Sequence, residues 1–118
     1  MNYSLPVKNT LYFLQPTAVE EWQSADVPGV MGVLRRTALG DFEVIDAFPV
    51  DTIPSGKDLL NDVRFGYWFA LARTTQDLRF DAFAMPMSAS KQRNGVITLL
   101  SRTCGLVSLS EQNYAFAV

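Results

Sequence analysis

The chain has 118 residues, 48% hydrophobic and 19% charged, a balance that suits a single globular domain over residues 1–118 and lies far from the polar signature of disorder. Its 10 basic and 12 acidic residues leave a net charge of -2, which argues against a protein that works by neutralising phosphates. There is no histidine, so Ser-His and Cys-His hydrolases, zinc proteases and other imidazole-dependent sites are excluded.

A single cysteine, Cys104, rules out an intramolecular disulfide and fits a reducing compartment. The apolar run Leu11–Leu14 is too short for the core of a signal peptide, and no stretch is long and apolar enough for a membrane span. A soluble, cytoplasmic protein is the expectation.

In chain order, Leu11–Leu14 reads as a short aromatic strand stopped by Pro16. Thr17-Ala18-Val19-Glu20 matches a capping box, predicting a helix of about two turns that ends before Pro28 and holds Val19 and Trp22 on one face. Two β-prone runs, Val30–Arg36 and Phe42–Phe48, joined by the glycine-containing loop Thr37–Asp41, predict a hairpin within Gly29–Val50. Alternation along its second strand points Phe42, Val44 and Phe48 one way and Glu43, Ile45 and Ala47 the other. Asp46 falls on the first of these rows and interrupts it, which predicts a place at the sheet margin or a cation such as Arg35 beside it.

Ser55-Gly56-Lys57-Asp58 carries the marks of a helix entry, with Ser55 as N-cap and Asp58 in the first turn. The densest apolar stretch, Phe65–Ala72, follows. As a helix it is apolar nearly all round, whereas as a strand it divides into Phe65, Tyr67, Phe69 and Leu71 against Gly66, Trp68, Ala70 and Ala72. Its aromatic content favours a strand, paired through Arg73–Asp77 with Leu78–Met85. After Pro86, Ser88–Gly95 reads as a polar loop and Val96–Ser101 as a strand. The rival is a helix over Ser90–Cys104, which Asn94-Gly95 and the β-branched residues disfavour. Leu106–Leu109 and Tyr114–Val118 read as further short strands.

These elements imply an α+β fold: a mainly antiparallel sheet of five to seven strands with one or two short helices packed on it. The hairpin within Gly29–Val50 resembles in outline one in the JAB/MPN metalloprotease-like domains, whose metal-binding histidines have no counterpart here. The resemblance covers that hairpin alone and assigns no family.

No motif commits the chain to catalysis. Ser88-Ala89-Ser90-Lys91 fits the S-x-x-K pattern of serine acylases, but the companion S-D-N and K-T-G elements are missing and a surface loop explains it first. The carboxylates Glu20, Glu21, Asp46, Asp51, Asp77 and Asp81 are scattered, and no phosphate cradle is present. No metal, cofactor, nucleic acid or membrane is therefore implied.

The apolar surplus, read with a strand at Phe65–Ala72 whose second face needs a cover, points to another protein or a second copy of the chain. The residues proposed to meet it are Trp22, the basic pair Arg35 and Arg36, Trp68, Met85 and Met87. The expected function is a non-catalytic protein-binding module, such as a small inhibitor, immunity or assembly protein of bacterial or phage type. The alternatives are a small-molecule site or enzyme lined by Tyr67, Trp68 and Asp46, and a viral structural subunit.

Overall fold

In a computed structural model, the structure describes Phe13 and residues 15–104. Among these the fold is α+β: a three-stranded antiparallel sheet and three helices. The strands are β1 (Gly29–Arg36), β2 (Phe42–Val50) and β3 (Leu78–Ala84), in the order β2-β1-β3. The helices are α1 (Gly56–Leu60), α2 (Phe65–Ala72) and α3 (Ser90–Cys104), and a single 3-10 turn spans Val19–Glu21.

The hairpin forms as expected. Thr37 and Asp41 close its loop through a 2.7 Å backbone hydrogen bond, and Gly40 stands at φ 93°, a conformation glycine adopts without steric penalty. Central β1 pairs with β2 on one side and β3 on the other, and six consecutive residues, Gly29–Leu34, are buried. Its side chains alternate between two cores. Met31 and Val33 belong to one, Val30 and Leu34 to the other.

On β2 the expected alternation fails at one point. The register with β1 shifts between Val33 and Leu34, so Val33 faces Asp46 while Leu34 faces Val44, and Ile45 is the extra residue of a β-bulge. The bulge moves the rest of the strand to the opposite phase. Val44 joins the core of Val30 and Leu34, whereas Ile45 and Phe48 join that of Met31 and Val33. Phe42, Val44 and Phe48 therefore do not share a face.

The expected sheet of five to seven strands is larger than the one observed. Phe65–Ala72 is helix α2, not a strand, and Ser90–Cys104 is helix α3, so Val96–Ser101 is not a strand either. Leu11–Leu14 other than Phe13, Leu106–Leu109 and Tyr114–Val118 lie outside the described residues. The objection to a helix at Phe65–Ala72 was that it would be apolar on every side. Its inner side carries buried Trp68 and Ala72 with half-buried Phe65 and Leu71, and its outer side carries Gly66 and Ala70, which expose little apolar area, together with the exposed Phe69. The turn before it is held by Asp62, whose side chain accepts the Arg64 N–H at 2.8 Å and whose backbone carbonyl accepts that of Phe65 at 3.0 Å.

Helix α3 follows the amphipathic spacing i, i+3, i+4, i+7, i+8: Arg93, Val96, Ile97, Leu100 and Ser101 are buried or half-buried, while Asn94 and Gly95 are exposed. The sheet is thus covered on both faces. Helices α1 and α2 close the core of Met31, Val33, Phe48, Trp68 and Phe80, and α3 closes that of Val30, Leu34, Val44 and Leu100. Phe13 also belongs to the second core, its ring seated over Gly32, where an added Cβ would come within 2.5 Å of it.

The N-terminal segment departs from expectation. Thr17 does not cap a helix: it forms an antiparallel bridge with Phe80 on the outer edge of β3, and Ala18 occupies the N-cap without a side-chain bond. At Ser55 the expected cap is present as a complete capping box with Asp58.

Helix α2 ends on Arg73 at φ 77°, where a side chain crowds the backbone and glycine is the usual resident. Arg73→Gly should therefore raise stability by about 0.5–1 kcal/mol, read as a higher urea midpoint at unchanged m-value.

Candidate functional site

A polar pair inside the main core joins the bulge to α2. Asp46 and Trp68 are both fully buried, and the Trp68 indole N–H donates to Asp46 Oδ2 at 2.9 Å. Asp46 Oδ1 accepts the Ala47 N–H at 2.8 Å, so the side chain also satisfies a backbone donor at the bulge. Asp46 is thus central in the sheet and not at its margin, and an indole N–H meets its carboxylate there. Around Trp68, the Phe48 ring stacks nearly parallel at 5.8 Å, and Phe80 and Phe65 meet it edge-on at 5.7 and 6.4 Å.

Arg64 closes this cluster from outside. Its guanidinium lies 3.7 Å from the centre of the Phe48 ring and 5.4 Å from that of Trp68, and it forms an ion pair with Asp62 at 2.6 Å. Burial alone would raise the Asp62 carboxyl pKa. The hydrogen bonds from the Arg64 side chain and backbone, with the guanidinium charge, outweigh it and hold the group below the ordinary carboxylate range. Asp81 goes the other way: burial raises it despite the opposing backbone hydrogen bonds from Gln15 and Ala82.

The six residues proposed to meet a partner are not brought together on one surface. Trp68 is enclosed by its own chain, which removes the unpaired strand face from which a partner was inferred. Trp22 is half-buried against the same core, and its indole N–H donates to the Pro54 carbonyl at 2.8 Å. Arg35 bonds Glu43 directly across the hairpin and the Leu71 carbonyl at 3.0 Å, while Arg36 pairs with Asp77 at 3.2 Å. Met85 packs on the second core, and Met87 is 98% exposed.

The S-x-x-K reading also changes. Ser88 Oγ accepts from Arg93 Nη1 at 3.0 Å, so the cation on this serine is a guanidinium, which stays protonated and cannot serve as its base. Three of the other carboxylates have separate engagements: Asp51 with Arg93 at 2.8 Å, Asp77 with Arg36, and Asp81 with the Gln15 N–H at 2.7 Å. Among the described residues no group of three or more Asp, Glu, Cys or His is placed to hold a metal ion, and no helix is long and apolar enough to cross a membrane.

What is displayed instead is a set of apolar side chains before and within α2. Leu60 at the end of α1, Val63 in the turn and Phe69 on α2 are exposed, Val63 at 87%. Gly66 and Ala70 lie on the exposed side of α2, and no residue of that helix is charged. Compared with known protein families, curated proteins and solved structures, the chain matches none.

Two outcomes are expected. Trp68→Phe removes the indole N–H from Asp46 and leaves a void among the aromatic rings, which should lower the unfolding free energy by about 2–4 kcal/mol in urea titration. Because the Asp62 pKa is lowered on folding, its contribution is present above the unfolded pKa and lost as pH falls through the folded one. Asp62→Asn should accordingly be less stable than the parent at neutral pH, and the gap should close in acid below the ordinary carboxylate range.

Proposed function

We propose that the chain is a non-catalytic protein-binding module, in the manner of a small inhibitor, immunity or assembly protein, and that it acts by covering a partner's surface with the outer side of α1 and α2. The observation that carries this reading is the exposure of Leu60, Val63 and Phe69 beside the uncharged outer side of α2. Large apolar side chains grouped along one segment mark interaction surfaces more often than scattered ones do, and small residues such as Gly66 and Ala70 let an opposing backbone approach closely.

The small-molecule or enzyme reading has less support. Of the three groups named for it, Trp68 and Asp46 hydrogen-bond to each other and are both sealed from solvent, while Tyr67 is half-buried. A substrate would have to open the main core to reach the buried pair.

The experiment is affinity capture from the native host with the parent chain and with Val63→Asp and Phe69→Asp, both at exposed positions where folding should tolerate the change. A partner retained by the parent and lost by at least one variant, with unchanged circular dichroism and urea midpoints, is the expected result. Equal capture by all three chains would place the contact elsewhere.

A further inference from the structure

The turn that joins β3 to α3 has a conformational conflict, and α3 is the element that depends on it. The Ser88 N–H donates to the Met85 carbonyl at 3.1 Å, closing a four-residue turn with Pro86 and Met87 at its centre. Proline suits the first central position of such a turn, because its ring already fixes the φ that the turn requires. The conflict lies at the second, Met87, at φ 64°, a region where a side chain crowds the backbone and glycine or asparagine is preferred. The Met87 side chain is 98% exposed, so no packing offsets that cost.

Across the turn, α3 seats Val96, Ile97 and Leu100 on the core lined by Val30, Leu34 and Val44. Its polar tie to the body of the fold is buried Arg93, which reaches exposed Asp51 in the link after β2. The rest of the Arg93 hydrogen bonding is local to the turn and the helix start, to the Ser88 carbonyl, Ser88 Oγ and Ser90 Oγ, and among the described residues its Nε has no partner.

We propose that α3 exchanges between two copies of this chain, the Met85–Ala89 turn opening as the hinge, so that each copy's α3 seats on the other's sheet. Exchange rebuilds every contact of α3 with β1, β2 and Asp51 between the copies, and it releases Met87 from the left-handed conformation. The occupant is a second copy because the seat is already complementary to this helix: it takes Val96, Ile97 and Leu100 and places Asp51 where Arg93 arrives. This inference is independent of the outer side of α1 and α2.

The test is to refold the full chain from denaturant at high concentration and measure mass by light scattering after gel filtration. A dimer beside the monomer is expected. Met87→Gly, which relieves the closed turn, should raise its dissociation constant on the order of tenfold. A second measurement separates exchange from surface contact. Asp51→Arg in one chain and Arg93→Asp in another each set like charges together in a closed monomer, and only exchange between the two chains restores both ion pairs. Co-refolding should therefore yield a mixed dimer more stable than either variant alone. The proposal is overturned if the parent chain stays monomeric at millimolar concentration, if the dimer is indifferent to Met87→Gly, or if Val63→Asp abolishes it.

Discussion

The hydrogen bond between the Trp68 indole and Asp46 exists because β2 carries a bulge, and much of the fold follows from that irregularity. The extra residue at Ile45 reverses the phase of the strand, sending Phe48 to the side of the sheet occupied by Met31 and Val33. The same shift puts the Asp46 side chain under α2, where an apolar residue would leave the indole N–H without this acceptor. A polar atom buried in a core is tolerated when it is paired, and such pairing constrains where the partner helix sits in a way that apolar packing alone does not. Phe48 stacked on Trp68, with Arg64 over both rings, completes a cluster that anchors α2 along its inner side.

The second face of the sheet is organised by an absence of side chain. Gly32 leaves the gap in β1 that the Phe13 ring fills, and α3 covers the remainder with Leu100 at its centre. With helices on both faces, the three strands among the described residues form two cores, and Trp68, Phe80 and Leu100 are buried within the chain itself. The case for a partner therefore moves from Trp68 to the side chains that the helices display outward, Leu60, Val63 and Phe69. Surface placement and core placement come from the same helix: the side of α2 that holds Trp68 inward determines that Gly66 and Ala70 face out.

What was legible in the sequence was local. The hairpin, its loop glycine and the Ser55 cap depend on residues close together in the chain, and each is found where expected. The bulge was not legible, because nothing in Val44-Ile45-Asp46 marks an extra residue; the out-of-phase Asp46 was its only trace. At Phe65–Ala72 aromatic content points to a strand, whereas the Asp62 turn in front of it and the alanines within it favour a helix. In α3, Asn94-Gly95 has the composition of a turn, yet both residues sit on the exposed side of a helix whose inner side keeps regular spacing from Arg93 to Ser101. Of the residues proposed to meet a partner, the aromatic ones were drawn to the core by the hydrophobicity that singled them out, and Arg35 and Arg36 found carboxylates across the hairpin and just before the start of β3.

The most direct test of the central claim is hydrogen exchange of the two indole N–H groups followed by NMR, with Trp22→Phe to assign them. If the Trp68–Asp46 bond anchors α2, the Trp68 indole should exchange only through global unfolding, with a protection free energy that tracks overall stability as urea is added, while the half-buried Trp22 indole exchanges through smaller openings. A Trp68 indole that exchanges as readily as that of Trp22, with no dependence on global stability, would contradict the account.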